Sequence, residues 1–222
     1  IQGRERLSGA AFRPVADRIV AATVLAAAAA TGGSVTLRRC VPDHLEPVLE
    51  VLARAGCRIR REGPAALTLE APARLAGAGW VTAGAYPAFP TDAAPVLAAA
   101  FLTAAGPSYF EDTVFEHRFG CAAGFTALGG RAKVRGRLLE LAPAEQLRGA
   151  AVSAADLRGG AALAVAALQA QGESTIAQAG YIRRGYGDLA ALLRSLGAHT
   201  CWDEKTERKN ERKRQAEDEK YF

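Results

Sequence analysis

Three runs of small apolar residues divide the chain into comparable stretches: residues 19–30, 93–105 and 161–170. Each is headed by an acid, Asp17, Asp92 or Asp156, and each stops at a glycine, Gly32, Gly106 or Gly172. The acid-to-glycine intervals are 15, 14 and 16 residues. An acid is stabilised at a helix start by unpaired amides and the dipole, and a glycine just past the end supplies a left-handed cap. The pattern therefore predicts three helices. They are apolar on nearly every face, so they are expected to be buried on all sides rather than lying on the surface.

The segments after these glycines also recur. A short strand-like piece comes first (residues 35–37, 109–110 and 175–176), then a loop, then a second helix ending at Gly56, Gly129 or Gly197. The glycine-to-glycine intervals are 24, 23 and 25. A basic alternating piece comes next at 57–61 and 131–135, then a further strand at 66–70 and 137–141. Self-similarity at such a spacing marks a repeated structural unit. The unit reads helix, strand, helix, strand, strand, three times, at about 14–75, 86–148 and 152–202. The expected fold is α/β with helices inside and sheets outside. After residues 198–202 the third unit lacks its closing strand, and a tail with seven basic and seven acidic residues between Asp203 and Lys220 stands in its place. Residues 203–222 are expected to be disordered or a solvated helix.

Composition narrows the function classes. Half of the 222 residues are apolar, which suits a globular domain over residues 1–202, and no apolar run is long enough to span a bilayer. No secretory signal is expected, and the first residue is Ile in a chain without Met. Cys40, Cys57, Cys121 and Cys201 are widely spaced with no CxxC pair, so free thiols in a reducing cytosol are expected and no metal site. The tail is charge-balanced, so the net +5 belongs to the body. A basic body suits nucleic acid or a small anionic substrate.

The repeat serves as a ruler for choosing between these. Twelve residues after each first glycine lie His44, Arg118 and Arg184, in equivalent loops. Arg158 stands near the head of the third first-helix. Arginine keeps its charge and offers a planar fork for phosphate or carboxylate. Arg118, Arg158 and Arg184 at matched ends of a pseudo-threefold unit would converge on one rim, where a small dianion binds; the alternative is that each is solvated surface. His44 and His117 read as surface or flanking groups. Asp92 admits two readings, a helix N-cap or a base that accepts a substrate hydroxyl, and spacing alone favours the cap. Asp156 is similar, with Arg158 two residues on as a further partner.

These pieces together resemble the enolpyruvyl transferase family, in its cell-wall branch. The resemblance rests on Gln2-Gly3-Arg4-Glu5-Arg6-Leu7, Asp17-Arg18-Ile19 and Phe89-Pro90-Thr91-Asp92. It continues through Thr113-Val114-Phe115-Glu116-His117-Arg118-Phe119, Asp156-Leu157-Arg158 and Arg184-Gly185-Tyr186. The lysine- and serine-rich signatures of the shikimate-pathway branch are absent. The chain departs from the family with His117 in place of Asn, with Ala93-Ala94 in place of Met-Gln, and with Arg183 in place of an acid.

The resemblance implies two inverse α/β barrel domains of three repeats each, with substrates in the cleft between them. This chain would be the C-terminal one. It implies transfer of enolpyruvyl from phosphoenolpyruvate to the 3-hydroxyl of UDP-N-acetylglucosamine in peptidoglycan synthesis, in the cytoplasm, without a cofactor. Asp92 would contact and deprotonate the sugar hydroxyl, and Val114 would line the UDP-sugar site. Arg118, Arg158 and Arg184 would surround phosphoenolpyruvate, and Asp156 would be an active-site aspartate. The family's N-terminal Lys-Asn pair and its mobile loop match nothing here, so no catalytic cysteine is assigned. The implied further partner is that N-terminal half, without which the chain is expected to be catalytically incompetent, with the third repeat unfinished and a sheet edge open. Two alternatives remain open: a paralogue acting on another nucleotide sugar, and a regulatory module binding a phosphorylated ligand. Nucleic acid and membrane are not expected partners.

Overall fold

The computed structural model describes residues 2, 3, 6 and 8–203, so the expectation for the charged tail lies almost wholly outside the described residues. The first unit contains α1 (Arg18–Ala30), β1 (Ser34–Arg38), a 3-10 turn (Pro42–Leu45), α2 (Glu46–Arg54), β2 (Arg58–Arg61) and β3 (Ala66–Glu70). The second contains β4 (Gly79–Gly84), β5 (Phe89–Pro90), α3 (Ala94–Ala100), β6 (Ser108–Asp112), α4 (Ala122–Ala127), β7 (Arg131–Arg135) and β8 (Leu138–Ala142). The third contains β9 (Leu147–Arg148), β10 (Ala151–Ser153), α5 (Leu157–Ala167), β11 (Ala170–Gln171), β12 (Thr175–Ala177), α6 (Gly180–Tyr186) and α7 (Leu189–Ser195).

The three apolar runs form α1, α3 and α5, which pack against one another. Every residue of α3 is buried. Small side chains permit this close approach, and a helix apolar all round has no face to give to water. The sheets lay their apolar faces on these helices. In β6 the inward positions Ser108, Phe110 and Asp112 are fully buried, while Tyr109 and Glu111 between them are half-buried, the period-two alternation of a strand. Phe110 sits opposite Val81 on β4 and Leu139 on β8, so one aromatic ties three strands to the core.

The sheets differ in completeness. The first is β1-β3-β2, antiparallel. The second is five-stranded, β5-β4-β6-β8-β7, with β4 running parallel to β6. In the third unit β10 pairs in parallel with β12, and β11 pairs with β9, each as a two-stranded piece. The strands that precede the central helices, β4 and β10, are not among those the sequence pattern predicts. Each pairs in parallel with the strand after its helix, so the buried helix is the crossover between them.

The structure corrects three expectations at the helix ends. Asp17 and Asp156 do cap their helices, each through one carboxylate oxygen that accepts from two backbone amides. Asp92 does not cap α3: the N-cap is Ala93, with no side-chain hydrogen bond, and Pro95 stands in the first turn. Second, α3 ends at Ala100, well short of Gly106, whose φ is not positive. A close backbone approach surrounds it instead: a Cβ at Gly106 would stand 3.3 Å from the Gly77 nitrogen, and one at Gly77 would stand 2.4 Å from the Pro107 carbonyl oxygen. Third, the segment before Gly197 is two helices rather than a loop and a helix, because Gly187 at φ 59° breaks it. Arg184 therefore lies on α6.

Candidate active site

Asp92 sits between two arginines brought from different units. One carboxylate oxygen faces Arg118 Nη2 at 3.2 Å, and the other accepts a hydrogen bond from Arg158 Nη2 at 3.0 Å. The sequence separation is 66 residues for the second pair, so the packing of α3 on α5 creates the contact. Asp92 remains 39% exposed, whereas Arg118 and Arg158 are 12% and 19% exposed. Two cations are thus held near one another with a single partly open carboxylate between them. Such a group of forked donors, largely withdrawn from water, suits a multivalent anion.

Each arginine is further held from behind. The Arg118 guanidinium stacks over Phe115 at 4.2 Å, donates to Thr91 Oγ1 at 3.2 Å and places Nε 3.4 Å from a carboxylate oxygen of Asp112. Arg158 lies over the Tyr186 ring at 5.7 Å, and the Tyr186 hydroxyl hydrogen-bonds to Thr23 Oγ1 on α1 at 2.9 Å. All three central helices therefore converge on this corner. Burial pushes the Tyr186 phenol up in pKa, and the Thr23 hydrogen bond and the Arg158 charge pull part of that back. The Arg158 Nη1 atom is buried with no hydrogen-bond partner among the described residues.

The glycine of Arg184-Gly185-Tyr186 has a packing reason. A Cβ at Gly185 would stand 2.8 Å from Leu157 Cδ1, and one at Gly160 would stand 2.9 Å from both Ala154 and Ile182. These glycines let α6 lie close on α5 and bring Tyr186 beneath Arg158. Arg184, one step earlier, is exposed, and the structure does not bring it into the Asp92 cluster. Val114 is 46% exposed on the turn after β6, beside half-exposed Phe115. Asp156 is occupied as the α5 cap, accepting from the amides of Arg158 and Gly159 at 2.9 and 2.8 Å. A Cβ at residue 159 would meet the second Asp156 oxygen at 2.9 Å, so Gly159 leaves room for that carboxylate.

The remaining candidates lie apart. His117 is exposed, and His44 is half-buried on the 3-10 turn. His44 lines a groove of about 480 Å³ with Arg18, Trp80, Tyr86 and Pro90, which the cluster side chains do not line. Arg183 stacks over Trp202 at 4.5 Å, so its guanidinium is directed to the segment after α7 rather than to the arginine cluster. Cys40, Cys57 and Cys121 are buried thiols and Cys201 is an exposed one. Desolvation, with a smaller push from Asp156, raises the Cys121 thiol to about 12. Sequence reasoning missed Asp112, Tyr186 and Thr23. Asp112 carried a legible sign, an acid on the inward face of a strand otherwise read from Tyr109-Phe110 alone.

Comparison with known proteins places this corner in context. A family profile described as EPSP synthase (3-phosphoshikimate 1-carboxyvinyltransferase) matches residues 1–193. The chain is 40% identical over 215 residues to a UDP-N-acetylglucosamine 1-carboxyvinyltransferase of Desulfofundulus thermocisternus, covering 93% of this chain and 86% of that one. It is 41% identical over 198 residues to the enzyme of that name from Dichelobacter nodosus, covering 89% of this chain and 47% of the relative. Against that relative and several others the chain spans about half their length. Among solved structures, the enolpyruvyl transferase NikO from Streptomyces tendae superposes with a TM-score of 0.74 at 29% identity, over 83% of this chain and 44% of that one. EPSP synthase from Acinetobacter baumannii shares the fold, with a TM-score of 0.60 at 17% identity over 80% of this chain and 44% of that one. The mixed α/β architecture thus corresponds to part of these structures, and the chain belongs to the EPSP synthase family of enolpyruvyl transferases.

Proposed function

We propose that the chain supplies one wall of an enzyme that transfers enolpyruvyl from phosphoenolpyruvate to the 3-hydroxyl of UDP-N-acetylglucosamine. The observation that carries this reading is the Asp92 carboxylate held between Arg118 and Arg158. Phosphoenolpyruvate carries a phosphate and a carboxylate, and two guanidinium forks set close together match that pair of anions. Arg184 lies outside the Asp92 cluster, on the helix whose Tyr186 touches Arg158, and in this reading it meets phosphoenolpyruvate as a third cation only in the complete enzyme. Asp92, the most open member of the cluster, accepts the proton of the sugar hydroxyl as its oxygen bonds to C2 of phosphoenolpyruvate. C3 takes up a proton as the double bond opens and gives one up when the C2–O bond to phosphate breaks, so the double bond re-forms and the phosphate leaves into the arginines. The same arginines stabilise charge that grows on the departing phosphate, which is where fixed cations lower a barrier most.

Asp156 acts through its cap, which fixes the start of α5 and hence Arg158. Val114 and Phe115 present an apolar edge to the nucleotide sugar. The complete domain in this reading is an inverse α/β barrel of three repeats over residues 1–202, acting in the cytoplasm without a metal or cofactor. The second wall corresponds to the part of the longer relatives that this chain does not match, and turnover requires it. The choice of UDP-N-acetylglucosamine over another nucleotide sugar rests on the names of the relatives at 38–41% identity.

The test is phosphate release from phosphoenolpyruvate by this chain mixed with the N-terminal half of a longer relative. Release that depends on UDP-N-acetylglucosamine, and is lost in Asp92→Ala and Arg158→Ala, is the expected result. Release with a different nucleotide sugar only would replace the substrate. No release from a mixture shown to assemble would remove the enzymatic reading.

A further inference from the structure

Asp112 is a fully buried carboxylate that serves two parts of the site at once. One of its oxygens accepts from the amides of Val114 and Phe115, at 2.9 and 2.8 Å. The other faces Arg118 Nε at 3.4 Å and has no hydrogen-bond partner, and Arg118 Nε has none either. Its own backbone is fixed on both sides. The Asp112 amide donates to the Arg137 carbonyl, and both the amide and the hydroxyl of Thr113 donate to Ala83 on β4. Arg137 in turn donates to the Thr113 carbonyl. The strand end is therefore tied down on both sides, and Arg118 is the one cation within ion-pair distance of the buried carboxylate among the described residues.

A buried carboxylate is costly unless its charge is met, and removing one partner of such a pair leaves the other stranded. The turn amides satisfy only one oxygen. The pair at 3.4 Å is close enough for strong attraction but is not a formed hydrogen bond. That is a contact able to tighten when the guanidinium moves. We propose that Asp112 is a positioning residue of the enolpyruvyl transfer site, coupling the turn at Val114 and Phe115 to the aim of Arg118. This rests on the function proposed above. Phosphoenolpyruvate draws the Arg118 Nη atoms away from Asp92, and Asp112 holds Nε so that the fork turns about a fixed point rather than swinging free. Asp92 is released from one of its two cations in the same movement.

The charge and the acceptor can be separated. Asp112→Asn keeps an acceptor for the two amides and removes the charge facing Arg118, whereas Asp112→Ala removes both. Titration of phosphoenolpyruvate and of UDP-N-acetylglucosamine into the chain, followed by NMR, reads the difference. Asp112→Asn is expected to weaken phosphoenolpyruvate about tenfold while leaving the nucleotide sugar unchanged. Asp112→Ala is expected to weaken both. In an Arg118→Ala background, Asp112→Asn is expected to have no further effect on phosphoenolpyruvate, and that double variant leaves neither charge buried alone. A general structural role would instead weaken both ligands together and persist without Arg118, which would overturn the inference.

Should the single variants fail to fold, the Arg118 Nε–H resonance of the unaltered chain decides. Protection from exchange that increases on adding phosphoenolpyruvate supports the pivot, and rapid exchange unaffected by ligand overturns it. Loss of phosphoenolpyruvate affinity in Arg118→Ala but not in Asp112→Asn removes this inference alone. An Arg118→Ala variant that binds as well as the unaltered chain removes the proposed function with it.

Discussion

The second and third units begin from the same pattern and end differently. In the second, β4 lies parallel to β6, and β8 and β7 close the far side, so Phe110 and Asp112 have strands on both flanks. In the third, β12 has β10 on one side and no strand pairing on the other among the described residues. The two units divide the candidate site accordingly. The closed sheet carries the buried charge, Asp112, and through it Arg118. The open unit carries Arg158 and Arg184 on helices, with Arg158 steadied by a tyrosine, a helix cap and Asp92. A buried ion pair needs its geometry enforced by surrounding structure. Arg158, nearly as withdrawn from water as Arg118, is held by side chains and a helix cap instead, and Arg184 is exposed.

Disrupting the two sheets should therefore have unequal consequences. Phe110→Ala empties a fully buried site between three strands and is expected to cost about 4 kcal/mol, seen as a lower midpoint in denaturant unfolding. The matching change on β12, Ile176→Ala, removes a half-buried side chain and is expected to cost about 1 kcal/mol. Equal losses would mean that the third unit is as tightly closed as the second.

The acids at the helix heads give a smaller contrast. Asp156→Ala removes a cap that accepts two amides and is expected to cost about 1 kcal/mol, whereas Asp156→Asn keeps an acceptor and is expected to cost a few tenths of that. Asp92→Asn removes no cap, so any change in stability there comes from Arg118 and Arg158 losing their shared anion. Thermal unfolding of the three variants side by side separates these causes.

Thiol reactivity sharpens the comparison with the least effect on the fold. Cys121 in the second unit is buried and its thiol is raised to about 12, and burial raises Cys57 to about 11. Near pH 8 the fraction present as reactive thiolate is small for both. Cys201 after α7 is exposed. Titration of the native chain with an aromatic disulfide is expected to modify Cys201 quickly and the three buried thiols only on unfolding. Fast modification of Cys121 would show that the second unit opens more readily than its packing implies.

Much of the fold is legible in the chain where the signals are local. Gly56, Gly129 and Gly197 stop their helices with φ of 101°, 91° and 99°, as left-handed caps require. The caps at Asp17 and Asp156 obey the same short-range rule. The twelve-residue spacing singles out Arg118 and Arg184, and Arg158 stands out near a helix head; the fold brings Arg118 and Arg158 to one carboxylate and leaves Arg184 exposed outside it. Asp92 is not decided by local rules. Its spacing says cap, but two guanidinium groups from distant segments prevail over two amides, and no short window of sequence contains all three. Arg184 reads as a loop residue because the repeat sets it level with His44 and Arg118, whereas Gly185 beside it lets α6 pack against Leu157. β4 escapes a sequence reading because its strand character comes from pairing with β6 rather than from a clear alternation of its own.

In the proposed reaction Asp92 and the arginines have different jobs, one moving a proton and the others holding an anion. Steady-state kinetics of the reconstituted enzyme test this division most directly, comparing Asp92→Asn with Arg158→Ala. Asp92→Asn is expected to lower kcat by about a hundredfold or more with KM for phosphoenolpyruvate little changed. Arg158→Ala is expected to raise that KM strongly, with a smaller loss in kcat from the missing cation on the departing phosphate. Parallel losses in kcat and KM for both variants would contradict the division, and would make Asp92 only the counter-charge that keeps the two arginines together.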